Sequence, residues 1–206
     1  MSWTTINRSE PVIPADAPPV LSEAVRAKIQ SFFPRYPTKR AALLPALHVV
    51  QDALGHVGWQ AMVEVAALLE IAPSEVFDTV SFYTHYWRHP RGRKVIVLCR
   101  SLSCELMGGR KVAEAIQRQL GIREHETTPD GEYSFVTEEC LGACEHAPCM
   151  LINERLHKGV RPEDIPAILA DADNDRLDVP RSDLYDAPRE GEGGAGSGEE
   201  GIDGRV

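Results

Sequence analysis

The sequence predicts an α+β protein, with an N-terminal helical bundle over residues 22–90 followed by an α/β domain over 91–175. Two observations point there. Up to Trp87 the apolar residues recur at helical spacing, and at Lys94 the pattern switches to a continuous β-rich run, KVIVL. Beyond that switch the segments follow the order β-α-β-β-β-α, which suggests one sheet with a crossover helix.

The elements follow in order. Residues 1–21 are Pro-rich and patternless and read as an extended arm. Ser22 is an N-cap before EAVRAKIQSFF, which Pro34 ends. Leu43, Leu44, Leu47, Val50 and Leu54 mark a second helix within 39–54, with Pro45 either kinking it or delaying its start. Gly55 and Gly58 close it, and WQAMVEVAALLE (59–70) is the third helix. Pro73-Ser74-Glu75 opens the fourth, expected to run through VFDTVSFYTHYW. Four short helices with short connections form a small bundle. KVIVL (94–98) reads as a strand buried on both faces. One helix is expected from Glu105 to Leu120, with Val112, Ala115, Ile116 and Leu120 on one face and Gly121 as its stop. Thr128-Pro129-Asp130-Gly131 is a turn, YSFVTEE (133–139) a strand, and CMLIN (149–153) with LHKGV (156–160) a strand pair. Pro162 to Ala172 is the last helix. The Gly- and acid-rich residues 176–206 read as a disordered tail.

Composition narrows the function. The 206 residues are 43% hydrophobic and 26% charged, ordinary for a soluble globular chain. No apolar run is long enough to span a bilayer, so no direct membrane insertion is expected. The formal charge of −9 resides mostly at the end: from Asp171 onward 11 acidic and 4 basic residues give −7, leaving −2 for the first 170. No basic block suggests nucleic acid. The start shows neither a signal peptide nor a transit peptide. A reducing cytoplasmic location is therefore expected, where structural disulfides are rare, and the odd count of five cysteines agrees.

Four of those cysteines form a pattern, C-x4-C (Cys99, Cys104) and, 35 residues later, C-x3-C (Cys140, Cys144). Each pair follows a strand. If the two strands share a sheet, both loops can open at the same end and bring four thiols together. Such a set binds a soft cation: zinc, copper(I) or an iron–sulfur cluster. Structural zinc usually takes two to four residues between ligands, whereas a [2Fe–2S] cluster takes two thiolates on each iron. Ser101 and Ser103 can offer backbone N–H groups to sulfur, Gly108-Gly109 and Leu141-Gly142-Ala143 allow close backbone approach, and a helix starting near Glu105 would turn its positive end to an anionic cluster. Cys149, opening a strand, reads as a packed core thiol. There is no C-x-x-C redox motif.

CRSLSCELMGG (99–109) and EECLGACEHAPCMLIN (138–153) resemble the thioredoxin-like [2Fe–2S] ferredoxin family, whose signature is C-x4-C with C-L-G-x-C-x-x-A-P further on. ALLPALHVVQDALGHVGW (42–59) and APSEVFDTVSFYTHY (72–86) resemble its helical segments, so the likeness covers about residues 22–172. The resemblance implies a thioredoxin-like α/β domain and one [2Fe–2S] cluster on Cys99, Cys104, Cys140 and Cys144, with Cys149 left to packing. It also implies an electron-transfer subunit of an NADH dehydrogenase (NADH:quinone oxidoreductase) complex, exchanging single electrons with the FMN of a partner flavoprotein that binds NADH. Such a subunit would be cytoplasmic, or peripheral at the inner face of the cell membrane through its complex. The same module is implied for NAD-reducing hydrogenases and NAD-linked formate dehydrogenases. The chain has no G-x-G-x-x-G fingerprint and no P-loop, so it is not expected to bind nucleotide or to hold a substrate site of its own.

Other readings are weaker. A zinc-stabilised binding module uses the same thiols without electron transfer. A free-standing ferredoxin would not need the helical bundle. His146 follows Cys144 closely, but a Rieske-type site needs a second histidine near the other pair, and none lies between Cys99 and Cys104. His48 and His56 are expected in or beside the bundle. Phe82, Tyr83, Tyr86 and Trp87 are expected in core and interdomain packing. No Ser/His/Asp or paired-carboxylate arrangement marks a catalytic residue.

Overall fold

The structure is a computed structural model. It describes residues 13, 14, 16–174 and 181–186. The helical half comprises α1 (Glu23–Ser31), α2 (Leu43–Leu54), α3 (Trp59–Leu69) and α4 (Pro73–Phe82). The Ser22 hydroxyl caps α1 by accepting from the Val25 N–H at 3.3 Å. Pro34 turns the chain into a 3₁₀ helix, Phe33–Arg35. The segment before Pro45 is likewise 3₁₀ (Lys39–Ala42), and α2 starts at Leu43, which leaves Pro45 in the first turn where no N–H is needed. Gly55, at φ 74°, ends α2 and donates to the Gln51 carbonyl at 2.8 Å. Ile29, Phe32, Leu47, Val65 and Val80 meet in the core of this half, each at most 2% exposed. The last residues of the arm are held to α3: Glu64 accepts from the N–H groups of Val20 (2.8 Å) and Leu21 (3.1 Å).

The fourth helix stops at Phe82 rather than continuing to Trp87. Tyr83 is extended, and the next residues take their hydrogen bonds from α2 instead. The Gln51 side chain donates to the His85 carbonyl (2.8 Å) and accepts from the Trp87 N–H (2.8 Å), and the Tyr86 hydroxyl donates to the Leu44 carbonyl (3.1 Å). A side-chain amide from a distant helix thus replaces the helical ladder.

The second half is a five-stranded mixed sheet of β1 (Lys94–Cys99), β2 (Glu126–Thr127), β3 (Tyr133–Glu138), β4 (Met150–Ile152) and β5 (Arg155–His157), ordered β2-β3-β1-β4-β5. β1 and β3 are parallel neighbours, with Cys99 opposite Glu138; β1 and β4 are antiparallel. Alternation decides which face each residue takes. Ile96, Leu98, Phe135, Met150 and Ile152 pack under α6 (Gly109–Leu120) and α7 (Ile165–Asp171), against Val112, Ile116, Ile165 and Leu169. The edge strand β2 is two exposed residues with no apolar signal, and the sequence pattern does not reveal it.

The single helix expected over 105–120 is instead two, α5 (Leu102–Leu106) and α6. Gly108, at φ 102°, breaks the run. A Cβ on Gly109 would lie 2.8 Å from the Cys104 carbonyl oxygen, so only glycine permits this close passage of backbone.

The expected disorder from 176 onward does not hold for residues 181–186, which form a 3₁₀ helix against the bundle. The Ser182 N–H donates to Asp52 at 2.8 Å, Arg181 pairs with Glu154, and Lys28 pairs with Asp186. Tyr185 packs its ring on Phe32 and His48. These contacts tie α1 and α2 to the β4–β5 turn. Polar composition concealed the segment because a single aromatic residue and ion pairs hold it, not an apolar face. The remainder of the expected tail, and residues 1–12 of the arm, lie outside the described residues.

Candidate metal centre

Parallel pairing of β1 with β3 sends both cysteine loops out of the same end of the sheet, as the spacing required. The β1 loop carries Cys99 at its root and Cys104 inside α5. The β3 loop carries Cys140 and Cys144, the latter opening a 3₁₀ turn, Cys144–His146. The Arg100 N–H donates to the Glu138 carbonyl at 2.9 Å and holds the two roots together.

The thiols form an inner and an outer group. The sulfurs of Cys99, Cys104 and Cys149 lie within 4.8 Å of one another and all three residues are buried. Cys140 and Cys144 are exposed, with sulfurs 3.4 Å apart. The structure therefore brings each expected pair together, adds Cys149 to the inner one, and sets the outer pair apart at the surface. The loops meet through backbone: Cys99 accepts N–H bonds from Ser101 on its own loop and from Leu141 on the other. Gly142, at φ 78°, turns its N–H to the Cys140 sulfur at 3.3 Å. Ser103 is inside α5, its carbonyl accepting from the Met107 N–H.

These contacts set the thiol acidities. Burial alone would push Cys99 up, but the N–H groups of Ser101 and Leu141, with the neighbouring thiols, outweigh it and hold Cys99 below the usual thiol range. Burial pushes Cys104 up, against the N–H of Cys149. Burial, then the hydrogen bond to Cys104, pushes Cys149 up to about 12. Cys144 is raised by its hydrogen bond and charge coupling to Cys140, and more weakly by Cys104 and Cys99.

The donor set fits a thiophilic centre. Two sulfurs on one tetrahedral metal with bonds of about 2.3 Å lie about 3.8 Å apart. The Cys140–Cys144 separation is close to this, and the inner sulfurs are within reach of it. His146 is half-exposed beside Glu145, with Nε2 3.6 Å from the carboxylate. Around the loop root, Leu102, Leu106 and Met107 are 74%, 76% and 66% exposed, an apolar collar beside Cys104.

Two features have no counterpart in the sequence pattern. A cavity of about 460 Å³ opens on the sheet face opposite α6, floored by Val95, Val97, Val136 and Leu151 and reaching Cys140. No local motif marks it, because its floor is the second face of β1. His48, whose Nδ1 is buried without a hydrogen-bond partner among the described residues, packs between His85, Tyr86 and Tyr185. Burial, with the charges of His85 and Arg181, pushes it down to about 4. Residues 181–186 supply Tyr185 and the Arg181 charge to that group.

The sequence profile described as thioredoxin-like [2Fe-2S] ferredoxin matches residues 29–173. The chain belongs to that family. Among relatives of this thioredoxin-like ferredoxin, an NADH-quinone oxidoreductase subunit of Rhizobium meliloti (strain 1021) is 37% identical over 145 residues, 70% of this chain and 86% of the relative. An NADH-quinone oxidoreductase subunit of Pseudomonas aeruginosa (strain PAO1) is 37% identical over 150 residues, 73% and 90% of the two chains. Among solved structures, an NAD+-reducing [NiFe]-hydrogenase in the air-oxidized state shares the fold, with a TM-score of 0.56 and 24% identity, over 64% of this chain and 23% of that one.

Proposed function

We propose that this chain is the electron-transferring [2Fe–2S] subunit of an NADH:quinone oxidoreductase complex. The observation that carries the reading is the pair of thiol loops at the same end of two adjacent parallel strands, one carrying Cys99 and Cys104 and the other Cys140 and Cys144. The relatives that are subunits of NADH-quinone oxidoreductases, matched over nearly their whole length, support the placement in that complex.

In this reading Cys99, Cys104, Cys140 and Cys144 hold one cluster, two thiolates to each iron. A cluster held there supplies one-electron transfer. The protein's own part is to bind and to tune. The N–H groups of Ser101, Leu141 and Gly142 stabilise charge on sulfur. Burial of the inner pair keeps water from one side, while the exposed outer pair gives a short path to a partner. The collar of Leu102, Leu106 and Met107 is where a flavoprotein subunit carrying FMN would dock, since exposed apolar patches beside a site serve association. No nucleotide fingerprint is present, so NADH is assigned to the partner. No helix among the described residues is long and apolar enough to cross a membrane, so membrane association would come through the complex.

The test is an EPR spectrum of anaerobically purified protein before and after dithionite, with iron and zinc assayed on the same sample. A signal with average g below 2 only after reduction, with about two irons per chain, supports the reading. Zinc without a signal would leave the fold and remove electron transfer.

A further inference from the structure

Cys149 stands outside the family's ligand pattern, yet the fold builds it into the inner thiol group. It is 1% exposed, and its sulfur lies 3.8 Å from the Cys104 sulfur. Its backbone N–H also donates to the Cys104 sulfur. Its carbonyl accepts from the Cys99 N–H at 3.2 Å. One residue thus touches both inner ligands through three separate groups. The surroundings of its thiol are apolar: Ala143, Leu141, Ala147 and Leu156 pack against the three buried sulfurs. The 3.8 Å contact has a donor at one end only when Cys104 is a ligand, because a ligand thiolate carries no proton and can only accept.

We infer that Cys149 is a positioning residue that raises the reduction potential of the centre by donating its S–H to Cys104. The inference rests on the ligand assignment above. Reduction adds one negative charge, part of which falls on the ligand sulfurs, so a hydrogen bond to a ligand stabilises the reduced form more than the oxidised form. The backbone N–H of Cys149 supplies a donor that no side-chain change removes. The S–H is the part a substitution can take away. Because S–H is a weak donor, the effect is modest.

The experiment is a potentiometric titration followed by EPR on the full chain loaded with iron and sulfide, comparing wild type, Cys149→Ala and Cys149→Ser, with iron counted in each. Cys149→Ala keeps the wild-type iron content. At a fixed potential its reduced-to-oxidised ratio falls about threefold to tenfold, the upper end being about 59 mV for a one-electron couple. Cys149→Ser restores an O–H donor and returns the potential to within about threefold of wild type. An alanine variant with full iron and an unchanged potential would show that the thiol only fills space, and the inference would fall. Loss of iron in both variants would make Cys149 a ligand and overturn it from the other side. A wild-type protein that takes up no iron overturns the ligand assignment itself, and this inference with it. If the alanine variant does not fold, the serine variant decides alone: full iron with a potential more than tenfold from wild type would contradict the donor role.

Discussion

The two cysteine loops hold their thiols by different means. The β1 loop is embedded in the fold: Cys99 ends a strand, Cys104 sits in a helix, and Cys149, Gly109 and Leu141 press on them from three directions. The β3 loop is built from small residues at the surface, its two thiols exposed and shaped by the turn at Gly142. The inner pair is therefore positioned by the core, while the outer pair lies at the surface. On the reading proposed above, such a centre would be buried on one side and open on the other.

The largest effect that separates the loops comes from single ligand changes. Cys144→Ser and Cys104→Ser should each lose most of the bound iron. Their metal-free forms should differ. Cys144→Ser changes a surface group, and its unfolding free energy from denaturant titration should stay within about 0.5 kcal/mol of wild type. Cys104→Ser buries a hydroxyl and should cost about 1–3 kcal/mol. Equal costs in the two apoproteins would erase the distinction between an embedded and a surface loop.

Gly109→Ala tests the inner loop without touching a ligand. The added methyl meets the Cys104 carbonyl at 2.8 Å, backbone against backbone, so the helix or the loop must shift. A loss of about 1–3 kcal/mol in apoprotein unfolding is expected, with weaker iron retention against a chelator. An alanine variant as stable as wild type would mean that the α5–α6 break is loose.

The smallest effect is kinetic. In metal-free, reduced protein, iodoacetamide should modify the outer thiols before the three buried ones, as read by peptide mass spectrometry. Because the Cys140 hydrogen bond raises Cys144, its thiolate forms only above the ordinary thiol range. Its labelling should therefore lag an ordinary exposed cysteine near pH 8 and catch up as the pH rises. Labelling of Cys104 as fast as Cys144 would sharpen the comparison toward an inner loop that opens in the absence of metal.

Much of the site was legible from local pattern. KVIVL runs straight into Cys99 because a strand buried on both faces must be apolar throughout, and its end is where the loop can begin. The second strand, YSFVTE, is apolar only in part, and its polar end at Glu138 lies two residues before Cys140. Parallel pairing was the one geometric step needed, and the crossover helix between the strands implied it. The helix break was less legible. Val112, Ala115 and Ile116 share one face whether or not the helix starts at 105, so periodicity could not detect the turn at Gly108. The end of α4 is hidden in the sequence because Tyr86 and Trp87 keep helical spacing while Gln51, on another helix, bonds the backbone of His85 and Trp87.

By itself the sequence determined the four helices of the first half, four of the five strands, the four-cysteine spacing and the ends of the strands that carry it. Those features depend on residues a few positions apart, where period and turn chemistry suffice. Only the tertiary structure decided that the thiol of Cys149, 45 residues from Cys104, would reach it, and that Tyr185 would return to Phe32 and His48. Such contacts carry no local signature: they exist because two cores pack in one particular way and bring distant backbone to a shared place.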